Sequence, residues 1–143
     1  MRVALIALIV LSTCLFTPGC AGVDEEIVCD DTITLTQYDV YECYFYSVEE
    51  GGDSQQLSIE MTSTGDSPVH IFTFTTEQYD SWLMCEDFDM IGSFSEEFST
   101  GASMEGEVEH DGDFYVVFDH PNSCDEEDAS TPVAEFSFKV VLS

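Results

Sequence analysis

The sequence has almost no basic residues: of its 143 positions, only Arg2 and Lys139 are Lys or Arg. Against them stand 30 Asp and Glu, giving a formal charge of -28. That shortage excludes nucleic acid as a partner, because phosphate binding is built from clustered Lys and Arg. It equally excludes a polybasic membrane tether. The common catalytic motifs are missing too: there is no GxSxG nucleophile turn and no phosphate-cradling glycine loop. No two cysteines stand in CxxC spacing, which argues against a zinc site. Paired acids such as Glu49-Glu50, Glu96-Glu97 and Glu126-Glu127 do not make a glycosidase. Adjacent acids on a strand or turn point apart and read as solvated surface. No catalytic residue is expected.

What the chain does have is apolar and aromatic matter, 44% and 13% of its residues. Chains kept disordered by charge are usually poor in hydrophobic residues, so the composition describes a folded domain with an acid-coated surface. Such a coat repels itself and destabilises the compact state at low salt. At about 1 M salt the Debye length falls to about 3 Å and the penalty largely vanishes. The pattern is that of a protein exposed to brine, with a halophilic or marine prokaryote as the expected source. The rival use of the acids is calcium binding, since carboxylate oxygens are hard ligands. No EF-hand loop is present, and Asp111-Gly112-Asp113 reads as a turn.

Residues 1–22 read as an export signal. Arg2 precedes an almost unbroken apolar run from Val3 to Phe16, and no acid occurs before Asp24. The run is too short for a membrane span, which needs about 20 residues, but suits a signal-peptide core. Gly19-Cys20 after that core resembles the lipobox of prokaryotic lipoproteins, although Thr17 and Pro18 depart from the usual motif. Lipidation of Cys20 is the expected route, with a membrane anchor as its consequence; ordinary cleavage near Ala21 is the alternative. The folded part is then a single domain, residues 23–143.

With Cys14 lost in the signal and Cys20 lipidated, Cys29, Cys43, Cys85 and Cys124 remain. An even number in an exported chain predicts two disulfides. Three connectivities are open and spacing does not choose among them; the preferred set is Cys29–Cys43 with Cys85–Cys124.

Strand periodicity runs through most of residues 32–142. Thr32–Thr36, Val40–Val48, Gln56–Thr62, Val69–Phe74, Phe114–Asp119 and Val133–Leu142 read as strands, with weaker ones at Gly92–Phe98 and Ala102–Glu109. Thr76–Met84 reads as a short helical turn carrying Tyr79 and Trp82. Turns are expected at Gly51-Gly52-Asp53, Gly65-Asp66-Ser67-Pro68 and Asp111-Gly112, the last as a hairpin. The expected fold is all-β: one β-sandwich, jelly-roll-like, of about seven or eight antiparallel strands.

The order of these pieces resembles two groups of extracytoplasmic β-sandwiches, the GOLD domains of vesicle cargo receptors and the bacterial pre-peptidase C-terminal domains. The resemblance rests on Tyr41-Glu42-Cys43-Tyr44-Phe45-Tyr46, Leu57-Ser58-Ile59-Glu60-Met61 and Val69-His70-Ile71-Phe72. A segment with Tyr79 and Trp82 follows, then Asp111-Gly112-Asp113-Phe114-Tyr115-Val116-Val117-Phe118-Asp119, the strongest local match. The cargo-receptor type has a cysteine where this chain has Val117. The resemblance implies the fold and an accessory or binding role, and does not carry cargo transport.

Among individual residues, His70 shares a strand face with Phe72 and Phe74 and is expected to be half-buried or at an edge. His110 and His120 are placed in acidic loops, where they are weak metal candidates, and any metal ligand set is unknown. Tyr44, Tyr46, Tyr79 and Trp82 are candidates for a sugar-stacking platform, with Tyr79 and Trp82 as its centre. The favoured reading, however, has Trp82 capping one end of the core. The function expected from the sequence is an exported, lipid-anchored, non-catalytic sandwich acting as a surface interaction or structural module with a protein or glycan partner. The alternative is a calcium-dependent carbohydrate-binding module.

Overall fold

Alternation at period two sets the architecture. Along Gln56–Ser63 (β3) Leu57, Ile59 and Met61 are buried while Glu60 and Thr62 are exposed. Along Ala134–Leu142 (β8) Ala134, Phe136, Phe138, Val140 and Leu142 all point into the core. The computed structural model describes residues 25–48, 54–121 and 132–143. The signal segment with Cys20, the Gly51-Gly52-Asp53 turn, the pairs Glu49-Glu50 and Glu126-Glu127, and Cys124 lie outside the described residues.

The remaining elements are β1 (Glu26–Leu35), β2 (Val40–Ser47), β4 (Val69–Thr75), α1 (Thr76–Leu83), a 3-10 turn at Gly92–Phe94, β5 (Glu96–Ser99), β6 (Gly101–Glu107) and β7 (Gly112–Asp119). They form two four-stranded sheets, ordered β1-β8-β3-β6 and β2-β7-β4-β5, and every pairing is antiparallel. An eight-stranded double sheet in this order is a jelly roll, two Greek keys wound together. The fold is the one the sequence predicts.

Three local expectations are corrected. Asp111-Gly112 does not close a hairpin. The strands on either side lie in different sheets, β6 on β3 and β7 between β2 and β4, so this connection crosses the sandwich. Gly92–Phe98 is not one strand: its first residues form the 3-10 turn and only Glu96–Ser99 pairs. The first strand starts at Glu26 rather than Thr32. A bulge at Val28 interrupts its register on β8, so the consecutive residues Val28 and Cys29 both pack against the core.

The core lies between the sheets. Phe118 meets Phe136 and Phe138 at centroid distances of 5.4 and 4.5 Å, and Phe45 stacks on Phe114 at 5.3 Å. Each fully buried Leu, Ile or Phe contributes about 1.5–3 kcal/mol through burial.

Two open edges of the sandwich need closing, and each is closed differently. On one side β1 and β2 are the outermost strands. Their upper ends are joined by the turn at residues 36–39, where Asp39 accepts hydrogen bonds from the Thr36 hydroxyl at 2.6 Å and the Thr36 N–H at 3.0 Å. Those bonds hold the Asp39 carboxyl below its ordinary range, the side-chain bond most of all. Lower down, the Cys29–Cys43 disulfide joins the two sheets with 6.1 Å between Cα atoms. This pairing is the one preferred from the sequence. Asp31 lies opposite buried Phe138 yet is itself exposed, a charge on the core side of an edge strand that discourages pairing with other chains.

On the opposite side the chain passes directly from β5 to β6 through Thr100, whose carbonyl accepts the Ser63 N–H at 2.9 Å. Lower down, no covalent bond is present among the described residues; the buried ring of Phe94 fills the gap. A Cβ on Gly106 would stand 3.2 Å from that ring, so only glycine gives β6 this close an approach.

The outer faces also differ. That of the first sheet is polar, with Lys139 set between Asp30 and Glu60 in register and Thr32 hydrogen-bonded to Ser137 at 2.8 Å. That of the second sheet is aromatic.

Candidate functional site

Register builds the aromatic face. Across β2, β7 and β4, Glu42 stands beside Val117 and Phe72, and Tyr44 beside Tyr115 and Phe74. Tyr46 stands opposite Asp113, and His70 opposite Asp119. Because β4 faces the core with Val69 and Ile71 and α1 with Phe72 and Phe74, nearly all of its residues are buried.

Helix α1 forms where the alternation of β4 stops. The Gln78 side-chain oxygen accepts the Thr75 N–H at 3.0 Å, and Glu77 sits in the first turn, favourable at a helix N-terminus. The helix ends in a Schellman arrangement, with Cys85 N–H bonded to the Trp82 carbonyl at 2.9 Å and Glu86 N–H to the Ser81 carbonyl at 3.2 Å. The left-handed position of that motif, usually Gly, is occupied by Cys85 at φ 51°. A non-glycine residue there costs about 1–2 kcal/mol. Cys85 is disulfide-bonded, which ties this strained position down. Its expected partner, Cys124, lies outside the described residues.

The short helix places Trp82 on Phe74, with centroids 5.8 Å apart, and Tyr79 on Tyr115, 4.2 Å apart and 11° from parallel. Phe88 meets Phe72 and Phe74 edge-on. Phe72, Phe74, Trp82 and Val117 thus make a second small core outside the sandwich.

The proposed pair of platform residues is therefore divided. Trp82 is 6% exposed; its ring is packing material, and it caps the outer face of the second sheet rather than an end of the main core. Tyr79 is half-buried. The open part of the face is Tyr44 and Tyr46, 54% and 56% exposed on the edge strand β2. The Tyr44 hydroxyl donates to Asp113 and the Tyr79 hydroxyl donates to Glu42. The bond to Asp113 raises the Tyr44 phenol above its ordinary value. Burial first, and then Glu42, push Tyr79 up strongly. Both stay protonated donors, held in fixed directions by carboxylates. Tyr115, which supports both rings, was not apparent as a site residue because cross-strand pairing is invisible in the sequence.

The histidines do not form a site together. His70 is 7% exposed, more buried than expected, and its Nδ1 accepts the Phe98 N–H at 3.1 Å. Phe72 stacks beside it and Phe98 covers it edge-on. Burial lowers its pKa; Glu97 opposes that and His120 adds to it. His120 is not in an open acidic loop: it is buried after the end of β7, with its Nε2 3.1 Å from the Pro132 carbonyl. His110 is exposed between β6 and β7. Among the described residues, no group of three or more His, Cys, Asp or Glu side chains is placed to hold a metal ion. None of the described helices is long and apolar enough to cross a membrane.

No protein-family model matches the chain, and no curated protein matches it. The functional reading rests on the jelly roll, its disulfides and the faces it presents. Disulfides of this kind belong to oxidising, extracytoplasmic compartments.

Proposed function

We propose that this protein is a non-catalytic recognition module displayed outside the cytoplasm, anchored by a lipid on Cys20 and making contact through the tyrosine end of its second sheet. The observation that carries the reading is the exposure of Tyr44 and Tyr46 side by side on an edge strand. The Tyr44 ring rests on Tyr115, and its hydroxyl is oriented by Asp113. Tyrosine supplies large contact area with little conformational entropy to lose, which suits a binding surface. The resemblance to GOLD and pre-peptidase C-terminal sandwiches is in keeping with an accessory role, and the acid coat with life in brine.

The test uses the exported protein on its own cells. In a Cys20→Ala background, which removes the lipid anchor, Tyr44→Ser combined with Tyr46→Ser should abolish the remaining association with the cell envelope while leaving the melting temperature within a few degrees. Unchanged retention would remove this face from the proposal. Cys20→Ala should move the protein from the detergent phase to the aqueous phase and abolish fatty-acid labelling; equal labelling would remove the anchor. Melting temperature should rise with salt, equally in sodium and calcium chlorides at matched ionic strength.

Carbohydrate recognition is the second reading, favoured by tyrosine rings that lie beside the carboxylates of Glu42 and Asp113. Its calcium-dependent form finds no cluster of ligands among the described residues. Retardation in gels containing neutral polysaccharide, lost in Tyr44→Ser, would select this reading, and free migration would discard it.

A further inference from the structure

Strand β5 is only four residues long and pairs with β4 no lower than Ile71. Below that point the core-facing side of β4 carries Thr73 and Thr75, where alternation calls for apolar residues. Thr73 is held by the segment that replaces the missing strand. Its hydroxyl donates to the Phe94 carbonyl at 2.7 Å, and its carbonyl accepts the Ile91 N–H at 2.9 Å. That segment closes the edge but leaves a cavity of about 540 Å³ at the lower mouth of the sandwich. The volume falls within the roughly 300–1,000 Å³ usual for small-molecule sites.

We infer that this mouth binds a small organic cation with an apolar body, an aryl- or alkylammonium, at a site separate from the tyrosine face. The buried side chains of Phe45, Leu57, Phe94 and Phe114 offer a hydrocarbon or ring apolar contact, and Thr73 and Thr75 add hydroxyls on the β4 side. The rim carries the exposed carboxylates of Glu107 and Glu109, with the imidazole of His110 beside them, so acids outnumber the histidine two to one. A carboxylate or phosphate ligand would meet like charge there, whereas an ammonium group can donate charge-assisted hydrogen bonds. The field of a chain with a formal charge of -28 concentrates cations at the same opening. Gly106 preserves the shape of the site, because a larger residue would displace Phe94 from its wall.

The experiment is calorimetric titration of the exported protein with four probes at matched ionic strength: 2-phenylethylammonium, 2-phenylethanol, 3-phenylpropionate and methylammonium. Saturable one-to-one binding is expected for the first, about ten-fold weaker binding for the alcohol, and none for the other two. Glu107→Gln combined with Glu109→Gln should bring the ammonium probe down to the affinity of the alcohol, and being exposed these changes leave the core untouched. Val108→Trp, which fills the mouth, should remove binding of both. The proposal is overturned if no probe saturates, if methylammonium binds as well as 2-phenylethylammonium, or if the paired glutamine variant binds unchanged.

Discussion

The two edges of the sandwich solve one problem by different means. Between β1 and β2 the sheets are joined by a disulfide, Cys29–Cys43; between β5 and β6, below the direct link through Thr100, they are sealed by packing of the Phe94 ring. A disulfide fixes the distance between strands whatever surrounds it. A packed ring holds only while its surroundings stay full, and it leaves room beside it. The closed edge therefore belongs to stability, and the filled edge is where a cavity can exist.

Four experiments bear on that contrast. Phe94→Ala should have the largest effect, about 3–5 kcal/mol of destabilisation, because it removes a large buried side chain and leaves a void. Urea unfolding measures it, and a loss below about 1 kcal/mol would show that the ring does not seal the edge. Replacing both Cys29 and Cys43 by Ala should follow at about 3 kcal/mol, the value for a loop of about 15 residues. The double substitution is needed because a chemical reductant would also open the Cys85 disulfide. An unchanged midpoint would mean that the β1–β2 edge closes without its staple.

Gly106→Ala should destabilise by about 1–3 kcal/mol, since the new methyl meets a ring that is itself enclosed. The effect should shrink in a Phe94→Leu background, and a double-mutant cycle reads the coupling. Strict additivity of the two changes would contradict the contact.

The smallest effect is pH-dependent and confined to the filled edge. Burial keeps the folded-state pKa of His70 below its ordinary 6.5. As pH falls, the unfolded chain takes up the proton first, so the stability associated with neutral His70 is complete above about pH 6.5 and is lost as pH drops through the lower folded value. Protonation also removes the Nδ1 acceptor of the Phe98 N–H. Amide exchange at Phe98 should therefore accelerate in mild acid before exchange in β1 does, and His70→Gln should flatten the difference. Parallel acceleration in both strands would place the acid sensitivity elsewhere.

Much of the fold was legible because alternation is a local property. Leu57, Ile59 and Met61, or Phe136, Phe138 and Val140, declare one buried face without reference to anything distant. What alternation does not encode is which sheet a strand joins. Asp111-Gly112 has the residues of a hairpin, yet its two strands part into different sheets. Cys29, Asp30 and Asp31 concealed the first half of β1, because an edge strand tolerates charge where a central strand does not. Of the candidate face, Tyr44, Tyr46 and Tyr79 were identifiable from their exposure-prone chemistry. Burial of Trp82 was the favoured reading and holds, but its place on the outer face of the second sheet depends on Phe74 and on a helix that the sequence resolves only as a turn. The mouth cavity was invisible, since Phe45, Leu57, Phe94 and Phe114 come from four separate segments.

In the first sheet β1 has a single neighbour, β8, so its pairing partners span from Glu26 to Leu142. A chain that crosses a membrane amino terminus first delivers β1 long before β8. Throughout that interval the first strand has no sheet to join, and the jelly roll cannot close until the nine residues of β8 arrive. The Cys29–Cys43 bond lies wholly within the early part of the chain. Formed during passage, it would hold the first strand beside the second while both wait, turning an edge staple into a bookmark for the order of assembly.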